Sequence, residues 1–174
     1  MKWNFVGLML TVAGLFLFAF PVLIRSGGNS GSIQFGIVEV LMTAALTIAL
    51  MGVHEGIHGL VMRGFGARPT FGAMLVGHVV PAFFATAVGH RFSRSQFVLI
   101  AAAPTVVISA VGFIACFGPW AGYLIVPLAI LLGGGVGDGF AIRRALQEPP
   151  TTQCEDLRDG IRFYRADAPT AGLA

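Results

Sequence analysis

Four stretches of about 20 apolar residues, Phe5–Ile24, Gln34–Met62, Gln96–Phe117 and Trp120–Ile142, account for most of this chain. In lipid every backbone amide must find its partner within the segment or in a closed barrel, so stretches of this length fold as helices. The expected fold is an all-α membrane protein with about four transmembrane helices. Composition agrees: 56% of the 174 residues are hydrophobic, 11% are charged, and the mean hydropathy is +0.82. Residues 1–146 read as one polytopic membrane domain and residues 147–174 as a polar cytoplasmic tail. The fourth stretch reads as two pieces, because Gly133-Gly134-Gly135 and Gly137 loosen a helix near its end.

The net charge of +3 (pI ≈ 9.4) carries topology rather than nucleic-acid affinity. Arg63, Arg68, Arg91 and Arg94 lie between stretches two and three; Arg143, Arg144, Arg158, Arg162 and Arg165 follow stretch four; Lys2 precedes stretch one. Arg25 alone falls on the other side. The positive-inside rule then puts both termini in the cytoplasm of a multi-pass protein of the cell membrane, with ten of the eleven basic residues inside. No soluble face gathers these arginines as a nucleic-acid partner would require. The first stretch is longer than a signal-peptide core and lacks a small-x-small cleavage site, so it is expected to stay as a helix. Cys116 and Cys154 have neither disulfide-framework nor metal-ligand spacing.

Between stretches two and three, Phe71 to His90 is apolar but interrupted by glycines and Pro81. Its β-branched and aromatic content predicts a short β-hairpin or re-entrant segment rather than a fifth span. Such a segment must pack on helices or line a wet cavity, since bare strand edges are costly in lipid. In the tail, Glu148-Pro149-Pro150 stops any helix, and Arg162-Phe163-Tyr164 is expected to form a short strand.

Chemistry enters at His54-Glu55-Gly56-Ile57-His58, inside the second stretch. On a helix the two histidines lie one turn apart on one face, where both imidazoles can reach one metal ion. Glu55 sits beside them, placed to take a proton from a water that the metal activates. For this composition the pattern arises by chance in roughly one chain of five hundred. Catalytic zinc usually takes three protein ligands. Asp138, an acid at the end of an apolar stretch, is the leading third ligand, and His78, some twenty residues past the motif, is the alternative. Depth favours Asp138: His54 lies nine residues (about 13 Å of helix) before Arg63, and Asp138 five (about 7 Å) before Arg143. His90, next to Arg91, reads as an interfacial polar residue, and Glu39 lies too far up the helix to be a ligand. An oxyanion donor besides the metal is not identifiable, with His78 one option.

The motif His54-Glu55-x-x-His58-Gly59, with Ala102-Ala103-Pro104, Gly137-Asp138 and Asp159-Gly160-Ile161-Arg162-Phe163-Tyr164, resembles a family of small bacterial and archaeal membrane proteins. That family was long a domain of unknown function and is described as zincin metallopeptidases related to the site-2 intramembrane proteases. The resemblance runs from the second stretch through the tail. It implies His54, His58 and Asp138 as zinc ligands and Glu55 as catalytic base, and names a class but no substrate; the expected partners, from a peptidase site within membrane spans, are the lipid bilayer and a membrane-anchored protein or peptide. The site-2 proteases carry Asn and Pro before the aspartate; Gly135-Val136-Gly137 stands here instead, which leaves their oxyanion arrangement without a counterpart. Pro104 is read as a kink in the third helix. The competing readings are a haem- or metal-binding membrane protein without protease activity and an inactive scaffold that keeps a structural metal.

Overall fold

The computed structural model describes residues 2–27, 36–76, 80–158 and 160–165, and all four apolar stretches are helical in it. Helix α1 spans Lys2–Ser26, α2 Ile37–Gly64 and α3 Arg94–Ala115; the fourth stretch divides into α4, Ala121–Gly134, and α5, Val136–Leu146. By length and composition all four stretches can cross a bilayer, α4 and α5 counting as one. Phe5, Phe16, Ile37, Leu41, Val106 and Ile114 are exposed, the apolar outer surface that lipid requires. Helix starts are set locally. Ser93 Oγ accepts the Gln96 amide at 3.2 Å while Gln96 Oε1 accepts the Ser93 amide at 2.9 Å, a capping box that opens α3. At α2 the Glu39 carboxylate accepts the Gly36 amide at 2.9 Å, which gives this acid a structural role.

Small residues let α1 lie close along α4. A Cβ on Gly14 would come within 3.0 Å of Ala129 Cα, and one on Gly133 would collide with Thr11. Close backbone approach of this kind replaces the hydrophobic drive that helices lack in lipid. Phe18 of α1, Ile108 of α3 and Leu128, Ala129 and Leu131 of α4 form one buried cluster. Ile57, inside the metal motif, packs against it from α2.

The expected hairpin is present. Strand β1 (Thr70–Val76) pairs antiparallel with β2 (Val80–Thr86), Thr70 opposite Thr86 and Val76 opposite Val80. His78 lies outside the described residues.

The all-α reading needs correction beyond the spans. Strands β3 (Phe92–Ser93), β4 (Gln153–Leu157) and β5 (Gly160–Tyr164) form a second sheet in the order β3-β4-β5. Only the Arg162–Tyr164 portion was legible as strand. β3 is two residues long, too short for any periodic signal, and Gln-Cys-Glu-Asp-Leu of β4 is as polar as a loop. Burial explains why it is a strand: Cys154 shares a core with Phe92, Phe97 and Ala145, so the tail is folded onto α3 and α5.

Two buried acids hold that tail in place. The Glu148 carboxylate accepts Arg165 Nε at 2.6 Å, Arg165 Nη2 at 3.0 Å and Arg144 Nη1 at 2.7 Å, while its backbone carbonyl accepts Arg94 Nη1 at 2.9 Å. Glu155 accepts the Gly89 amide at 2.7 Å and Tyr164 Oη at 2.5 Å, with Arg162 at 3.7 Å. The Arg165 guanidinium, with Arg144 behind it, holds the Glu148 carboxyl below the usual carboxylate range. A lowered acid stabilises the docked tail at neutral pH, and this contribution is lost as pH falls below about 4.5 and through the lowered value. Glu148→Gln should therefore raise amide hydrogen-exchange rates across residues 153–164 at pH 7. Unchanged protection would show that the tail is held by its apolar contacts alone.

Candidate metal centre

Helix α2 presents His54 and His58 one turn apart, their ring centroids separated by 4.9 Å with 76° between planes. Asp138 comes to them from the first turn of α5. Its Oδ2 lies 3.0 Å from His54 Nε2 and its Oδ1 3.4 Å from His58 Nε2. At the α4–α5 junction the helical ladder continues, Gly135 donating to the Leu131 carbonyl at 2.9 Å and accepting the Gly139 amide at 3.0 Å. A Cβ on Gly135 would come within 2.7 Å of Thr105 Oγ1, so glycine lets the junction settle against α3. The arginines that follow Asp138 on α5 are engaged elsewhere: Arg144 pairs with Glu148, and Arg143 lies over the Trp3 ring.

The orientation of His58 has a cause in the sequence of α3. Its Nδ1 lies 2.9 Å from the carbonyl oxygen of Ile100, placed so that Nδ1–H donates to it. In an unbroken helix that carbonyl would accept the amide of residue 104, but residue 104 is proline and has none. Pro104 thus leaves Ile100 a free acceptor, and with Nδ1 engaged there His58 turns Nε2 toward Asp138. Proline here does more than kink a helix. The signal was a proline four residues past an apolar position facing the site, which no local pattern announces.

Gly59 sets the neighbouring wall. A Cβ there would overlap the Phe71 ring, so glycine allows β1 to lie directly on α2 beside His58. β2 then borders Glu55, within reach of the Ala85 backbone amide. A cavity of about 210 Å³ opens here, lined by Glu55, His58 and Asp138, by Phe84 of β2 and by Asp156 and Arg158 of the tail hairpin. Asp156 and Arg158 were not singled out in the sequence, because the tail showed no link to the motif until β4 was seen to fold over it. Burial pushes the Asp156 carboxyl up to about 7; His58 counters this, while Glu55 and Asp138 add to it. His90 packs against Phe92, apart from this group.

Among the described residues, His54, Glu55 and His58 form a group whose ligand atoms lie within 4.8 Å of one another and could hold a metal ion. Asp138 lies outside that group but meets both imidazoles directly, through Oδ2 and Oδ1. The Asp138 carboxylate gives one oxygen to each imidazole, at 3.0 and 3.4 Å, which brings three potential donor groups together. Imidazoles and carboxylates are the donor types that zinc takes, so the chemistry of these residues fits such an ion.

Against known proteins, residues 47–154 match a family model described as "Putative zincin peptidase". The chain belongs to this family. The matched segment runs from α2 to the start of β4 and so contains His54, Glu55, His58 and Asp138. No curated protein and no solved structure matches the chain. Within the zincin peptidase family the group at α2 is a candidate zinc site.

The role of Pro104 is open to direct test. Pro104→Ala restores an amide that competes for the Ile100 carbonyl, and zinc affinity measured by chelator competition should fall about 10- to 100-fold, as when other orienting partners are removed. Full affinity in Pro104→Ala would leave the proline with a packing role only.

Proposed function

We propose that this protein is an intramembrane zinc-dependent peptidase that hydrolyses membrane-associated peptide substrates. In this reading His54, His58 and Asp138 hold the zinc and Glu55 is the general base. The observation that carries it is the meeting of the Asp138 carboxylate with both Nε2 atoms at 3.0 and 3.4 Å beside Glu55, at the wall of one cavity.

When bound, zinc supplies Lewis acidity and brings the pKa of water to near neutrality. Glu55 accepts the proton of the attacking water and returns it to the leaving amine, a transfer worth about 10²- to 10⁴-fold in rate. Asp138 contributes charge and fixes the two imidazoles. The Ile100 carbonyl keeps His58 in one tautomer. The substrate must be extended at the cleavage point, because a helical carbonyl is hydrogen-bonded and shielded. Among the described residues β2 pairs with β1 alone, and its residues Phe83 to Thr86 border the cavity, which supports pairing of an extended substrate segment along β2. Membrane placement with both termini cytoplasmic follows from the arginine distribution and sets the site toward the cytoplasmic end of its helices. The lipid bilayer and a membrane-anchored protein or peptide are its partners in this reading. The related site-2 proteases share this design by resemblance.

The non-proteolytic readings have less support. A bis-histidine haem needs its rings on opposite sides of a macrocycle, whereas His54 and His58 share a helix face and nearly touch. A scaffold with a structural metal gives no role to Glu55. The two readings separate in a pair of variants. Glu55→Gln should keep stoichiometric zinc and lower cleavage of a membrane-spanning reporter by about 10²- to 10⁴-fold, while Asp138→Ala should lose the zinc itself. Loss of zinc from Glu55→Gln would move Glu55 into the ligand set. Full zinc affinity in Asp138→Ala would remove Asp138 from it.

A further inference from the structure

Asp156 is the one acid at the cavity that the peptidase chemistry leaves unused. Beside the base Glu55, the other described acids have partners: Glu39 caps α2, Asp138 meets two histidines, and Glu148 and Glu155 are each held by several donors. The Asp156 carboxylate makes no hydrogen bond and no ion pair with any described residue. Strand geometry explains the contrast with its neighbour. Successive side chains on β4 point to opposite faces, so while Glu155 turns to Gly89 and Tyr164, Asp156 turns to the cavity.

The natural structural partner for Asp156 would be Arg158, two residues on and on the same face of the hairpin. It is not used. The Arg158 guanidinium instead lies 5.0 Å from the centroid of the Phe84 ring, bridging the tail hairpin to β2 across the cavity wall. A partly buried carboxyl with no counter-charge costs stability, and a neutral residue at this position would remove that cost. Three groups already face it from α2 and α5: Glu55, His58 and Asp138. With zinc held by its ligands and Glu55 serving as base, a third carboxylate has no task in the hydrolysis itself.

We propose that Asp156 is a specificity residue that binds a lysine or arginine side chain of the substrate close to the scissile bond. The placement rests on the peptidase reading, since the same cavity must receive the peptide. The cavity is walled by β2 on one side and by the β4–β5 hairpin on the other, so a segment extended along β2 would pass Asp156 as it approached Glu55. An arriving cation supplies the missing counter-charge and a charge-assisted hydrogen bond. The chemistry also fits the substrate class. Membrane-spanning segments carry lysine and arginine at their cytoplasmic boundary, while their hydrocarbon-spanning portions carry almost none. A carboxyl beside the catalytic group would select that boundary and hold the chain in register for cleavage.

Binding can be measured without turnover. Zinc-loaded Glu55→Gln protein in detergent micelles is titrated with N-acetylated, fluorescent membrane-segment peptides that carry either lysine or norleucine at the boundary position. Lysine should bind about tenfold more tightly than norleucine, the order expected of one desolvated charge pair. Asp156→Asn should erase that preference with zinc content unchanged, and Asp156→Glu should retain part of it. Equal binding of the two peptides, an equal loss for both in Asp156→Asn, or no binding of either overturns the proposal. A preference that appears only in peptides with a free N-terminus assigns the cation to the α-ammonium and overturns the side-chain assignment. A lysine preference in this assay, with no Glu55-dependent cleavage by the wild type, would keep the cation subsite and overturn the peptidase reading.

Discussion

One carboxylate meeting two imidazoles across two helices is the constraint on which the architecture turns. An acid and two histidines among apolar spans are costly unless they satisfy one another or share a metal. Asp138 reaches His54 and His58 from the first turn of α5, just past Gly135, whose lack of a side chain lets the α4–α5 junction lie against Thr105 of α3. His58 is turned to meet it because Pro104 leaves the Ile100 carbonyl without a helical donor. Gly59 then allows the β1–β2 hairpin to close over the same face of α2. Two glycines and a proline, each unfavourable in an uninterrupted helix, are the residues that assemble the centre.

The site lies between two hairpins of different origin. β1–β2 comes from the connection between α2 and α3, and β4–β5 from the tail. Both present residues to the cavity, and Arg158 over the Phe84 ring joins them. The tail therefore contributes to the candidate site while being anchored elsewhere, through Glu148 and Glu155. A polar segment after the last span serves here as one wall of the cavity.

The spans and the His54–His58 motif were legible because each rests on one strong local signal: hydropathy over about 20 residues for the first, and i, i+4 spacing for the second. Asp138 could be reached by a depth argument from the arginines, since distance along a helix converts to ångströms. The second sheet was not legible, because β3 is two residues long and β4 is polar, and their pairing is a long-range fact that neither segment announces. For the same reason Asp156 was invisible as a cavity residue, and Pro104 could be noticed as a helix proline but not as the residue that frees the Ile100 carbonyl.

The account stands or falls on the ligand shell. Zinc-edge X-ray absorption of the purified, zinc-loaded protein tests it most directly. The account predicts four light ligands at about 2.0–2.1 Å with the multiple-scattering signature of two imidazoles, and a spectrum that changes in Asp138→Ala. A sulfur shell near 2.3 Å, a single imidazole, or a spectrum indifferent to Asp138 would contradict it.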